Sequence, residues 1–255
     1  MNHEEEKMAL WEKNQLMIYE ELALSSKSEI VKSGRPQRVE DTSLQVFADI
    51  ASKIELSGNQ SILDIGCGTG WLLDKFIEYC GKSGGELYLF DQAAVIKSII
   101  NRIIQIPEFL HFVSGIFPKD EKELGIQRFD RIVVYSVLQY VPNPEEFVGA
   151  ILKYLGPGGK LLIGDIPNAD KKKRFLASTF GQSIHNEYLL RNSQSAVNVH
   201  ASSEAQLSPY LGDDLILQIL RMCSNLGFNS YLLPQKVGLP FNFTRVDILI
   251  ERSHE

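Results

Sequence analysis

The chain is poor in several things, and each shortage closes off a class of protein. Its 255 residues include only three cysteines, Cys67, Cys80 and Cys223. They form no CxxC pair and no metal-ligand spacing, so neither a disulfide framework nor a metal site is expected, and a reducing, cytoplasmic setting is. Basic residues are outnumbered, 26 Lys and Arg against 32 Asp and Glu, for a formal net charge of −6. A chain so balanced has no general electrostatic pull on nucleic acid or anionic membrane. No apolar run approaches the roughly 20 residues of a membrane span. The opening MNHEEEKMAL is acidic and lacks the basic start and apolar stretch of a secretory leader. There is no internal repeat and no low-complexity tract.

What is present is the ordinary material of a globular domain, 44% hydrophobic and 23% charged residues. Residues from about Glu4 to Leu24 are rich in helix formers, and a polar segment bearing Gly34 and Pro36 follows. A second helix is expected after Asp41 or Thr42, with Leu44, Phe47, Ile50, Ala51 and Ile54 at helical spacing. From Ser61 the texture changes to short apolar runs. SILDI, ELYLF, HFVS, RIVVYS and KLLIGDI read as five strands without polar alternation, the mark of a parallel sheet buried on both faces. Helices are expected near 70–80, 92–106 and 144–155, whereas 117–129 is too short and polar for one. Such alternation implies a doubly wound α/β fold.

After the fifth strand, 167–210 is rich in Ser, Asn, Gln and His and has poor periodicity. DDLILQILRMCSNLGF then reads as a helix capped by Asp213 or Asp214, with Gly227 just past its end. Two last strands are expected near 229–233 and 244–251.

The densest signal is LDIGCGTGWLL, residues 63–73, where Gly66, Gly68 and Gly70 follow an apolar run. The spacing G-x-G-x-G is one residue tighter than the dinucleotide fingerprint G-x-G-x-x-G. Asp64 precedes the first glycine by two positions. Asp91 ends the next strand, which places a carboxylate at the sheet's carboxyl edge beside the glycine loop. A carboxylate there can accept two hydrogen bonds from ribose hydroxyls, so the loop belongs to a ligand with a ribose.

With ILDIGCGTG at 62–70, LFDQA at 89–93, FDRIVVYSVLQYV at 129–141 and LKYLGPGGKLLIGDIP at 152–167, the chain resembles the class I S-adenosylmethionine-dependent methyltransferases. The resemblance covers roughly residues 60–166. It implies a Rossmann-like seven-stranded sheet, mostly parallel with the last strand antiparallel, and an insertion after strand 5. Residues 1–58 would then be a helical lid and 59–255 the methyltransferase domain, with 167–210 as a substrate-binding insertion. S-adenosylmethionine carries no pyrophosphate, so the glycines would let the backbone approach its methionine and ribose portions. Asp64 would orient the loop or meet the amino group through water, and Cys67 reads as a small filler rather than a nucleophile. The resemblance puts Asp91 on the ribose, Gln92 beside the adenine, and Ser114, Gly115 and Ile116 around the base. Many relatives have an acid at that third strand exit; this chain reads VSGIF, so other groups must serve. Tyr135, Ser136 and Gln139 would line the methyl donor and acceptor, although a strand-end tyrosine is often packing alone. Tyr19, Arg35 and Arg38 are candidates for the donor's carboxylate, against the alternative of an exposed basic loop. His185 and His200 are the candidate general bases, with Asp165 second; a lone loop histidine is more often surface decoration.

The acceptor leaves weaker marks. The Asn/Asp-Pro-Pro-Tyr turn of adenine amino-methylating enzymes is replaced by VYSVLQY, no Pro-Cys pair is offered to cytosine, and KKKR at 171–174 is the one basic cluster. Nucleic acid is therefore disfavoured. LIGDIPN and LPFNFTRVDILIER are reminiscent of methyltransferases of bacterial glycan synthesis, which points to a hydroxyl of a sugar or related small molecule. The alternatives are a tRNA or rRNA methyltransferase, a non-catalytic partner subunit that binds the donor, and a nucleotide-dependent oxidoreductase, the last disfavoured by the tight glycine spacing. A monomer or a homodimer is expected.

Overall fold

The apolar runs without alternation become neighbouring strands of one seven-stranded sheet, ordered β3-β2-β1-β4-β5-β7-β6 in the computed structural model. The structure describes residues 42–193, 211–239 and 241–254, together with Asn14, Met17 and Glu21, which are helical and exposed. β1 (Ser61–Ile65), β2 (Glu86–Asp91), β3 (Leu110–Ser114), β4 (Phe129–Tyr135) and β5 (Leu155–Pro167) pair in parallel. β7 (Arg245–Glu251) runs antiparallel between β5 and β6 (Asn229–Pro234). The helices are α1 (Ser43–Lys53), α2 (Trp71–Ser83), α3 (Ala93–Arg102), α4 (Pro144–Leu152), α5 (Ala169–Ala177), α6 (Thr179–Ser193) and α7 (Asp213–Asn225).

The missing alternation has a direct cause. Leu63, Ile132, Leu161 and Ile248 face one apolar layer with Phe147 and Ile151 of α4 and Ile216 and Ile219 of α7. Ile62, Val133, Leu162 and Leu249 face the other, against Ile50 of α1, Phe76 of α2 and Ile99 of α3. Successive residues of these central strands thus enter a core on alternate faces, and a fully buried side chain of this size contributes about 1.5–3 kcal/mol. The strand order reverses between β1 and β4, and the loops leaving their carboxyl ends open the crevice where doubly wound sheets bind ligands.

Several elements differ from the sequence expectation. β5 starts at Leu155, paired with Phe129, and the Gly-Pro-Gly-Gly stretch bulges out before pairing resumes at Lys160. α3 ends at Arg102, because Ile104 beyond it is fully exposed and has no layer to enter. The polar connection 117–129 holds one 3₁₀ turn, Glu121–Leu124. The segment after β5 is helical where it is described, in α5 and α6. α5 buries no residue, and Gly181 is the one buried residue among the described side chains of α6. An exposed helix has no apolar stripe to write into its sequence. The cap position of α7 is Gly212, not Asp213 or Asp214. Asp213 opens the helix, and its N–H donates to Asp170 Oδ2 of α5 at 2.9 Å, so the cap is supplied across helices. Gly227, at φ +83°, follows the helix as expected. No helix among the described residues is long and apolar enough to cross a membrane.

Candidate functional site

Five strand exits meet at the carboxyl edge, and the glycine loop after β1 is the innermost. Gly66 has φ +73°, and its N–H donates to the carbonyl of Phe90 at 2.8 Å. A Cβ on Gly66 would lie 2.5 Å from Val137 Cγ2, so this glycine makes room for the chain leaving β4. Gly68 has φ +60°, and a Cβ there would meet nothing within 4 Å. That is the position whose bare backbone faces open space. Gly70 is extended, at φ −76° and ψ 174°, and serves as the N-cap of α2.

Asp91 reaches the loop from the end of β2. Its Oδ2 accepts the Gly68 N–H at 2.8 Å and its Oδ1 accepts the Gln92 N–H at 2.7 Å. Burial pushes its carboxyl up to about 6, against the pull of those two backbone donors. Asp64 is only 4% exposed. Burial first, and then the charge of Asp91, push it up to about 8. Two carboxylates this close, with no cation bonded to them among the described residues, favour a ligand that brings positive charge. Burial and both acids also push the Cys67 thiol well up, so it stays protonated and is not a nucleophile.

The outer exit is that of β3. The Gly115 N–H donates to the Asp91 carbonyl at 3.0 Å, which fastens this exit to the end of β2. Ser114 is exposed, and the Ile116 N–H donates to Asp120 Oδ2 at 2.8 Å. Asp120 comes back to this exit from the following turn, a relation that no strand or loop motif encodes.

On the other side of the crevice, Tyr135 packs over Gly164, where a Cβ would stand 2.5 Å from Tyr135 Cδ2. Ser136 follows at φ +59°, and its hydroxyl donates to Asp165 Oδ2 on the next strand. Gln139 is 2% exposed; its Nε2 donates to the Ser136 carbonyl at 2.8 Å, and its Oε1 is buried with no partner among the described residues. Asp165 sits at φ +58°, where the β5–β7 register slips between Ile163 and Ile166. Its N–H donates to Asp247 Oδ1 at 2.8 Å, its carbonyl accepts from Arg245 at 2.9 Å, and its Oδ1 accepts from Gln235 Nε2 at 3.1 Å. Left-handed backbone at a residue other than glycine costs on the order of 1–3 kcal/mol and persists where neighbours fix it. Here two adjacent strand ends carry it, and their side chains bind each other. Lys53 of α1 completes the support, 2.6 Å from both Asp49 and the fully buried Asp247.

The structure thus brings Asp64, Gly66, Cys67, Gly68, Gly70, Asp91, Gln92, Ser114, Gly115, Ile116, Tyr135, Ser136 and Gln139 to one edge of the sheet. Tyr19, Arg35, Arg38 and His200 lie outside the described residues. His185 lies on α6, which packs on α5.

The chain is 28% identical over 149 residues to the ubiquinone biosynthesis O-methyltransferase of Xylella fastidiosa, a match covering 56% of this chain and 53% of that protein. It is 31% identical over 117 residues to the tRNA U34 carboxymethyltransferase of Idiomarina loihiensis, covering 44% and 34%. It spans about half or less of the length of these curated relatives. The solved plantazolicin methyltransferase BamL, in complex with a triazolic desmethylPZN analog and SAH, matches 98% of this chain and 99% of its own with a TM-score of 0.61. At 15% identity that likeness speaks to the fold. The sequence profile described as methyltransferase domain matches residues 33–208, which takes in the glycine loop, Asp91 and the exits of β3, β4 and β5. With that match spanning well over half of the chain, the protein belongs to the methyltransferase domain family.

Proposed function

We propose that this protein transfers a methyl group from S-adenosylmethionine to a hydroxyl of a small molecule. The carrying observation is Asp91 bound to the Gly68 N–H at the point where strand order reverses. The site suits that donor on three counts. Gly68 faces open space, both Asp91 oxygens keep lone pairs for ribose hydroxyls, and the reluctant charges of Asp64 and Asp91 match a ligand with an ammonium and a sulfonium.

The donor, when bound, supplies a carbon activated by its sulfonium; the protein's share is orientation and a closed pocket. On this reading the backbone of Gly66–Gly70 and Cys67 lies along the donor. Asp91 holds the ribose, and Gln92 with Ser114, Gly115 and Ile116 encloses the base. Tyr135, Ser136 and Gln139 face the reacting carbon. Tyr19 and Arg35, in the segment ahead of α1, meet the donor's carboxylate, and 167–210 shapes the acceptor pocket. A hydroxyl loses its proton as its bond to carbon forms. His185 and His200 are candidates to take that proton, with Asp165 beside Ser136 as the third.

The O-methyltransferase relative supports a hydroxyl on a small molecule, and the glycan-like segments make a sugar one class to try. The tRNA-modifying relative favours a second reading, against which stands the net charge of −6. The test is transfer of label from [methyl-³H]S-adenosylmethionine to separate pools of phenols, sugars, small amines and bulk tRNA. Label in a hydroxyl compound is expected. Label in tRNA would put the second reading in its place, and donor binding with label in no pool would point to a non-catalytic subunit.

A further inference from the structure

We propose that the methyl acceptor carries a flat aromatic body, which lies on a wall of phenylalanines beside Asp165. The inference rests on the methyltransferase reading above and names the acceptor class for that site. Phe175 of α5, Phe180 of α6 and Phe243 of the turn before β7 come from three stretches of the chain and meet as one cluster. Phe175 and Phe243 lie flat against each other, with ring centroids 5.1 Å apart and planes 4° apart. Phe180 stands edge-on to both, at 6.2 and 5.4 Å. The sharp passage from α5 to α6 brings it there, and Gly181 permits that passage, because a Cβ at 181 would collide with the Phe175 carbonyl.

Rings that meet in this way ordinarily close a core, yet Phe180 stays 56% exposed, Phe243 40%, and Phe241 of the same turn 45%. Large rings left together in water mark a surface that a ligand covers. Its position says which ligand. The Cα atoms of Phe243 and Arg245 are at most about 7 Å apart along the chain. Arg245 lies over the Phe241 ring, 5.4 Å from its centroid, and donates to the Asp165 carbonyl at 2.9 Å. Asn168, which follows β5 and caps α5, donates its N–H to the Thr244 carbonyl at 3.0 Å. The wall therefore stands at the same edge of the sheet as Ser136 and Asp165, on the acceptor side. Side-chain donors beside the rings are turned to the protein itself. Lys171 Nζ donates to the carbonyls of Asn242 and Arg245 at 3.0 and 2.6 Å, Ser178 Oγ to that of Phe175 at 2.7 Å, and Thr244 Oγ1 to that of Phe241 at 3.1 Å. A sugar placed here would give up water for rings that return no hydrogen bond. An aromatic body exchanges water for ring contacts, and its hydroxyl can reach toward Ser136 and Asp165.

The experiment is isothermal titration of the full chain, free and saturated with S-adenosylhomocysteine, with 4-phenylphenol, phenol and methyl glucoside. The wild type should bind 4-phenylphenol at least about tenfold more tightly than phenol, the worth of one further stacked ring, and the glucoside more weakly than either. Phe180→Ala, at the most exposed ring, should bring that ratio close to one with the melting temperature little changed, and Phe180→Trp should keep it. Phe243→Ala should lose it as well. Wild-type protein that binds the glucoside as well as 4-phenylphenol, or that does not bind 4-phenylphenol, overturns the proposal. So does a folded Phe180→Ala protein with the wild-type ratio, since rings that only fasten α5 and α6 to the turn would leave that ratio alone. Failure of S-adenosylhomocysteine to bind overturns the donor reading instead, and the titrations of the free protein still decide the wall.

Discussion

Two glycines of one loop, both left-handed, do different work. Gly66→Ala meets Val137 as well as an unfavourable φ and should cost on the order of 2–4 kcal/mol in denaturant unfolding. Gly68→Ala meets only the φ penalty, nearer 1 kcal/mol, but puts a methyl into the open space, so its larger effect should appear in S-adenosylhomocysteine affinity. Equal losses of stability would contradict this division. Asp64 carries a pH signature. The unfolded chain releases its proton near the usual carboxylate value of 3.8, and the folded chain holds it to about 8. Between those values the native state binds more protons than the unfolded state, so this group makes stability fall as pH rises. Urea midpoints at pH 5.5, 7 and 8.5 should therefore decline in the wild type and decline less in Asp64→Asn; parallel declines would count against a buried protonated acid. At this scale the sequence was informative wherever chemistry follows spacing along the chain, as for Asp64, the glycines and Asp91.

Elements were legible in proportion to what they bury. The five central strands and α1, α2, α4 and α7 are amphipathic or wholly apolar because a core waits on one or both sides. α5 and α6 leave no such trace, since α5 buries no residue and α6 buries only Gly181 among its described side chains. Where α7 begins was also misplaced by a local rule, since its cap comes from Asp170 while Asp213 receives Asn168 at 2.8 Å and Arg174 at 2.6 Å. Asp170→Ala should therefore cost about 1 kcal/mol, the worth of an N-cap. In calorimetry that is a fall of roughly 2–4 °C in Tm, and Asp214→Ala should cost less. The reverse order would return the cap to the helix's own acids. The same contact ties the start of the segment after β5 to the helix that follows 210, so the candidate acceptor segment is anchored at its entry.

For the whole molecule, the resemblance implied a seven-stranded, mostly parallel sheet; pairing now sets its order, with the reversal between β1 and β4 placing Asp64, the glycine loop, Asp91 and the exits of β3 and β4 on one edge. Ser136 and Asp165 were named from the sequence, but the network that holds them was not legible, because Gln235, Arg245 and Asp247 come from separate stretches and meet them only in the fold. The central claim is that Asp91 and the glycine loop hold S-adenosylmethionine. It is tested most directly by melting wild type and Asp91→Ala with S-adenosylmethionine, S-adenosylhomocysteine or NAD. A ligand at a hundred times its Kd stabilises the folded state by about 2.7 kcal/mol. Both S-adenosyl compounds should raise the wild-type Tm while NAD leaves it unmoved, and Asp91→Ala should lose most of that rise. A rise with NAD alone, with none of the three, or of equal size in Asp91→Ala would contradict the account.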